Sequence, residues 1–348
     1  MLSRLLSCAN FLLHFRERVN EESYYPKSPH KMKVQIFFDI LIHTIKYGEG
    51  LKYYFAYGLD VKGKRPSDYL AYTSFRNKRD ELNDCKPYSY ICLLRDKQLF
   101  GIIAKEYRIK VSADLASFYD GKIDDWGGHF NTYSSLFFKP SDLSCGIGSF
   151  KLDCFDNKYY MNGVETPEKD IDYFIHSLKG RFIIQPYINQ HKEVNEIYSG
   201  SINTVRVWSV NPKHSSNIND IVIVGALLRI GARESIVDNW AQGGLVVGID
   251  ENGTLMKYGY YKPGHGTKTE RHPDTSIKFE GIKLPYYKEL IKAVKLFHSK
   301  LNAIHSVGWD VAITEDGPLF VEGNDDYELG FFQTCFGGMK KQVKPLFR

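Results

Sequence analysis

The sequence predicts an α+β protein preceded by a mainly helical N-terminal region. Three observations carry that expectation. Over residues 1 to about 84 the apolar positions recur every three or four residues, as in VQIFFDILIHTIKYGEGLKYYFAYGL, which is the period of a helix face. From Tyr88 onward, short β-branched and aromatic runs mix with single helical stretches. Near the C-terminus, GWDVAITEDGPLFVEGNDD (308–326) reads as a hairpin that carries an acid in each arm.

The opening stretch MLSRLLSCANFLLHF contains Arg4 and His14 and no small-residue cleavage site, so it reads as an amphipathic helix and not as a signal peptide. SYICLLRDKQLFGIIAKEYRIKV reads as short strand, helix, short strand. SSLFFKP (134–140) is a strand, and the glycine-bearing loop SDLSCGIGSF follows it. IDYFIHSLKG is a helix closing on Gly180, and RFIIQPYI is a strand ending near Pro186. SINTVRVWSV, DIVIVGALLRIG and GGLVVGIDENGTL are strand-like, with an Asn-Gly turn at 252–253. Residues 262–281 are polar and glycine-bearing and read as a loop, and LPYYKELIKAVKLFHSKL as an amphipathic helix. The expected organisation is a helical region 1–84, a part with a phosphate-binding loop at 85–184, a part with a metal site at 185–340, and a tail at 341–348.

With 348 residues, 43% of them hydrophobic, the chain can bury a core of one large domain or two to three smaller ones. A net charge of +5, from 46 basic and 41 acidic residues, is no concentrated basic stripe and argues against nucleic acid as partner. The six cysteines (Cys8, Cys85, Cys92, Cys145, Cys154, Cys335) form no CxxC pair, which argues against zinc and for free thiols in a reducing cytosol. No apolar run reaches the roughly 18 residues of a membrane span. The expected location is cytoplasmic, with peripheral membrane contact through the N-terminal helix as the alternative.

The hairpin raises the question of function. With Glu315-Asp316-Gly317 as a three-residue loop, Thr314 pairs with Pro318, Ala312 faces Phe320 and Asp310 faces Glu322. Side chains alternate along a strand, so Asn324 shares the face of Glu322. Carboxylates directly opposite each other repel, so something positive should lie between Asp310 and Glu322. Oxygen ligands of this kind suit Mg²⁺, which binds one or two carboxylates together with phosphate and water. A phosphate site is drawn from weaker signals, because GxxxxGK[ST], GxGxxG and the kinase motifs are missing. Lys139 ends a strand just before a loop with Gly146 and Gly148, which lets backbone N–H groups turn toward an anion. Arg206 and Arg229 sit inside apolar strands, where a charge must be paired or face an anion.

In this order and spacing, FFKPSDLSCGIGSF, FIIQPYINQH, SINTVRVWSV, VDNWAQGGLVVGID, HPDTSIKFEG and GWDVAITEDGPLFVEGN resemble the ATP-grasp superfamily. The closer resemblance is to the sugar-transfer-associated ATP-grasp proteins linked to polysaccharide biosynthesis, over about residues 85–340. It implies two α+β subdomains gripping ATP. Lys139 would contact the α- and β-phosphates, with Lys97 as a second nucleotide-contacting lysine. Gly146 and Gly148 would form the loop over the phosphates. Gln185, Pro186, Tyr187 and Ile188 would read adenine, and Glu193 would take the ribose. Arg206 and Arg229 would steady the transferring phosphate. Asp310, Glu322 and Asn324 would hold Mg²⁺, or Mn²⁺ in its place. His272 would serve as a general base, and Asp238, Asn239, Gly243 and Gly244 as the acceptor loop.

The implied reaction joins a carboxylate to an amine or thiol through an acyl phosphate, so the partners are small molecules, a carboxylate substrate and its nucleophile. Two alternatives stay open: an ATP-dependent phosphotransferase acting on a sugar or carboxylate, and a non-catalytic module that binds nucleotide or glycan. The sequence indicates no oligomeric state.

Overall fold

The computed structural model describes residues 2–49, 51–85, 89–143, 146–233, 235 and 237–348. Tyr88, where the texture of the sequence changes, and Cys145 lie outside the described residues. The N-terminal region folds as α1 (Leu2–Arg18), α2 (Lys33–Tyr47) and α3 (Tyr72–Leu82). The helices α4 (Cys92–Arg95) and α5 (Lys97–Glu106) come next. Short strands were expected on both sides of this stretch. Helix α4 takes the place of the first, and the second shrinks to one bridge from Val111 to Phe320. Asp96 caps α5 by accepting the N–H groups of Gln98 and Leu99, which favours helix over strand here.

Two antiparallel sheets follow. One has six strands: β1 (Ala116–Tyr119), β2 (Ser135–Pro140), β3 (Phe150–Phe155), β4 (Lys158–Met161), β5 (Val164–Glu165) and β6 (Arg181–Pro186), in the order β1-β6-β2-β3-β4-β5. Between β5 and β6, α6 (Glu168–Ser177) packs Ile171 and Ile175, four residues apart, against Phe138, Phe150 and Ile184. The chain crosses to the second sheet through α7 (Lys192–Ile197). That sheet contains β7 (Thr204–Val210), β8 (Val222–Ile230), β9 (Leu245–Ile249), β10 (Leu255–Tyr261) and β11 (Lys268–Thr269). After α8 (Tyr287–Lys300), β12 (Ser306–Thr314) and β13 (Gly317–Asn324) complete it, before α9 (Gly330–Phe336) and α10 (Lys340–Val343). Its seven strands run β11-β10-β9-β8-β7-β12-β13.

Strand alternation gives the second sheet two different faces. Val205 and Val207 of β7 point to a core built with Leu290, Val294 and Phe297 of α8 and Phe100 of α5. So α4 and α5, placed with the first part by sequence, pack instead on the seven-stranded sheet. Trp208 and Val210 point the other way, into a core shared with Tyr53, Phe75 and Phe332. The N-terminal region therefore covers part of this second face. Arg79, 1% exposed, ties α3 down by donating to the Tyr327 carbonyl at 3.0 Å. The expected tail also belongs to this core, since Val343 and Phe347 are buried and Phe347 meets Trp208 edge-on.

The acidic hairpin is one residue tighter than expected. Thr314 pairs with Gly317, Ala312 with Leu319 and Val311 with Phe320. The register then shifts between Asp310 and Val311, leaving Val321 as the extra residue, and Asp310 stands opposite Glu322. Gly317, at φ +97°, supplies the left-handed turn conformation.

Candidate active site

The uncovered part of the same sheet face meets the six-stranded sheet across a cleft. Lys139, Gln185 and the segment through Tyr187 and Ile188 form one wall, and Arg229, Asp310 and Glu322 the other. Lys139 lies on β2 opposite Ile183 of β6 and is 7% exposed. Burial, reinforced by the Lys97 charge, pushes its ammonium down to about 8, against the pull of Glu322 and Asp114. Lys97, half-buried at the start of α5, donates from Nζ to the Leu143 carbonyl and from its backbone N–H to the Ser141 carbonyl at 3.0 Å. It thereby pins the loop after β2. Burial lowers its pKa as well.

On the opposite wall, Arg206 and Asp310 are cross-strand partners on β7 and β12. Arg206 forks onto Asp310, with Nε donating to Oδ1 and Nη2 to Oδ2 at 2.6 Å. Arg229 bridges two carboxylates, Asp310 at 2.7 Å and Asp238 at 2.9 Å. Burial alone would raise the Asp310 carboxyl, but Arg206 and Arg229 outweigh it and hold it far below the usual range. Asp238 in turn accepts the Thr204 N–H at 3.0 Å and the Thr204 hydroxyl.

This arrangement changes the reading of the hairpin acids. The positive charge against Asp310 belongs to two arginines, and both its oxygens are engaged by them. Asn324 Nδ2 donates to Glu322 at 3.1 Å and lies 3.4 Å from Asp310. Among the described residues no group of three or more His, Cys, Asp or Glu side chains could hold a metal ion. The donors that fit Mg²⁺ are the Glu322 carboxylate and the Asn324 side-chain oxygen, which suit an ion that takes further oxygens from phosphate.

Several expected residues share the cleft: Lys97, Lys139, Gly146, Gln185 to Ile188, Arg229, Asp238, Asn239, Asp310 and Glu322. Arg206 and Asn324 line a second cavity that shares Lys97, Arg229 and Glu322 with the first. Gly243 and Gly244 shape the turn behind Asn239. Gly243 has φ +95°, and a Cβ on Gly244 would stand 2.8 Å from the Ile230 carbonyl. Gly148, at φ +74°, packs against Pro140 and does not line the cleft. Glu193 is exposed on α7 and lines neither cavity.

His272 is also not at the cleft. Its Nε2 donates to the Gly231 carbonyl at 2.8 Å, while Nδ1 accepts the N–H groups of Asp274 and Thr275. Both ring nitrogens are thus occupied in holding the 262–281 loop against β8, which leaves no base. Burial lowers its pKa further. His272→Ala should cost about 1–3 kcal/mol of stability in chemical denaturation, by stranding those backbone groups, with nucleotide affinity unchanged. Two features went unread in the sequence. Asp114 accepts a 2.6 Å bond from Gln185 Nε2 and so orients it. Lys262, from the polar loop, reaches the second cavity. An acid just before a short strand and a lysine in a loop give no local signal.

Two antiparallel sheets that meet across one cleft, with Lys139 on one wall and an arginine–carboxylate cluster on the other, define the α+β fold. The family model described as sugar-transfer associated ATP-grasp matches residues 77–344, and the chain belongs to that family. No curated protein matches the sequence. Among solved structures, the D-alanine–D-alanine ligase from Helicobacter pylori is 14% identical, with a TM-score of 0.43, over 73% of this chain and 60% of that one. The corresponding ligase from Bacillus anthracis is 10% identical, with a TM-score of 0.41, over 73% and 66%. The L-amino acid ligase from Bacillus licheniformis is 9% identical, with a TM-score of 0.38, over 71% and 44%. This chain thus spans from 44% to 66% of the length of these three proteins.

Proposed function

We propose that the protein is an ATP- and Mg²⁺-dependent ligase that activates a carboxylate as an acyl phosphate and joins it to an amine or thiol. The observation that carries this reading is the meeting of Lys139 and Lys97 with Arg229 and Glu322 around one cleft, with Arg206 on the cavity that adjoins it, in a chain of the ATP-grasp family. Adenine would lie against Gln185 to Ile188, and the polyphosphate would run past Lys139 toward Glu322. Mg²⁺, held by Glu322 and Asn324, would neutralise charge on the transferring phosphate.

The substrate carboxylate takes the γ-phosphoryl group and ADP leaves. The nucleophile then attacks the acyl carbon, loses its proton, and inorganic phosphate departs. Charge grows on the phosphoryl oxygens during transfer, so fixed cations are what the protein must supply. Arg206 and Arg229 are held rigid for this by Asp310 and Asp238, and each keeps donors that those carboxylates do not use.

The second cavity, about 530 Å³, is the place for the acceptor. It carries aromatic surfaces from Tyr72, Trp240 and Phe331, and Lys262 lines it as well. Aromatic faces suit a sugar ring, and Lys262 suits its carboxylate. We therefore read the substrate as a sugar-borne acid, in keeping with the family's association with sugar transfer.

Thermal-shift titration should show stabilisation by ATP with Mg²⁺ that exceeds that by ATP alone. With a substrate acid present, hydroxylamine should trap a hydroxamate as ADP is released. A stable phosphorylated product in its place would mark a phosphotransferase, and no stabilisation by any nucleotide would overturn both readings.

A further inference from the structure

Among the described residues, nine of the 22 exposed large apolar side chains lie between Leu6 and Ile45, on or beside α1 and α2. These two helices pack as a hairpin through Phe11, Phe15 and Phe37. Helix α2 is apolar on two sides. Ile36 and Ile40 face inward and are buried, as the core requires. Val34, Phe38, Ile42 and Ile45, spaced four, four and three residues apart, form a second stripe and are 51–60% exposed. Leu13 on α1 is 80% exposed. A stripe with helical period that the fold leaves bare is more than scattered surface hydrophobicity.

The charges around the stripe are one-sided. Lys33 and Lys46 stand exposed at the two ends of α2, and Arg16 is exposed on α1. The one acid of α2, Asp39, is turned away to Lys31 at 2.6 Å and the Tyr54 hydroxyl at 2.7 Å. Glu17 on α1 sits between Arg16 and Arg18, 3.6 Å from His14. No helix among the described residues is long and apolar enough to cross a membrane.

We infer that the α1–α2 hairpin docks on an anionic lipid surface. Helix α2 lies in the plane of the interface, its outer stripe among the acyl chains and Lys33, Lys46 and Arg16 against the headgroups. The charge pattern favours this occupant over a second copy of the chain. A two-fold pairing of α2 stripes would set Lys33 against Lys46, or each lysine against itself, with no acid to offset them. A bilayer containing acidic lipid supplies both the apolar phase and the opposite charge.

The test uses the full chain with vesicles of phosphatidylcholine alone and of phosphatidylcholine mixed equally with phosphatidylglycerol. The protein should float with the acidic vesicles at low salt, less so at high salt, and little with phosphatidylcholine alone. Phe38→Glu with Ile42→Glu should weaken that binding by ~10-fold or more, and Lys33→Glu with Lys46→Glu should remove its dependence on acidic lipid. Val34→Ser with Ile45→Ser is the milder companion, and circular dichroism verifies that each variant is folded. Absence of flotation with acidic vesicles would overturn the inference. So would unchanged binding by both stripe variants, or a concentration-dependent dimer in size-exclusion chromatography that either stripe variant abolishes.

Discussion

Asp310→Asn is expected to lower the free energy of unfolding by ~3–5 kcal/mol at pH 7 and to abolish ATP turnover. Asp310 is 2% exposed and takes three hydrogen bonds from Arg206 and Arg229. The amide keeps the shape but not the charge, and leaves Arg206 buried with no counter-ion of its own. Asp238 still serves Arg229, so the cost falls mainly on Arg206. The pH dependence follows from the depressed carboxyl. Its stabilisation is fully present above the unfolded value near 4 and is lost as the pH falls through the much lower folded value. The gap between wild type and variant should therefore hold from pH 7 to about 4 and narrow only in stronger acid. Urea denaturation across that range measures it. A loss below about 1 kcal/mol at pH 7 would show that the arginines are satisfied without this carboxylate.

The same cluster shows what the sequence can and cannot disclose. A positive charge in an apolar strand must be paired or face an anion, and that rule singled out Arg206 and Arg229, while the repulsion of facing carboxylates singled out Asp310. It cannot say which member serves which, because the pairing of β7 with β12 is a contact across 104 residues. The face shared by Asp310, Glu322 and Asn324 was legible because alternation is local. The bulge at Val321 was not, and it restores a register that the tighter turn would otherwise displace by one residue. Strands β4 and β5 were not legible because β4 is half-exposed and polar and β5 has two residues, so neither shows clean alternation. His272 and Glu193 were placed by family likeness alone. The fold sets the one under β8 and the other in solvent, since the path of a polar loop depends on packing that no short pattern encodes. The last eight residues read as a tail until Phe347 is seen against Trp208.

Lys139→Met should weaken ATP binding by ~10–100-fold and at the same time make the free protein more stable. The two effects share one cause. Among the described residues wild-type Lys139 is buried without a salt bridge, and burial beside Lys97 pushes its pKa from 10.5 to about 8. Below pH 8 the folded protein keeps a charged ammonium where a neutral side chain would be preferred. That shift corresponds to up to ~3 kcal/mol, which methionine, similar in length and uncharged, would recover. The sign can be checked against pH. Between about 8 and 10.5 the unfolded chain holds a proton that the folded chain has released, so wild-type stability from this group rises with pH. The advantage of the variant should be largest below pH 8 and vanish above about 10.5. Polyphosphate reverses the balance by favouring the ammonium. Wild-type ATP binding should therefore take up a proton near pH 8 to 9, seen as a buffer-dependent heat in calorimetry, and should weaken at higher pH. The variant should show neither the uptake nor this part of the pH dependence. A variant that binds ATP as tightly as wild type, or that is less stable at pH 7, would remove Lys139 from the phosphate site and from this account of its burial.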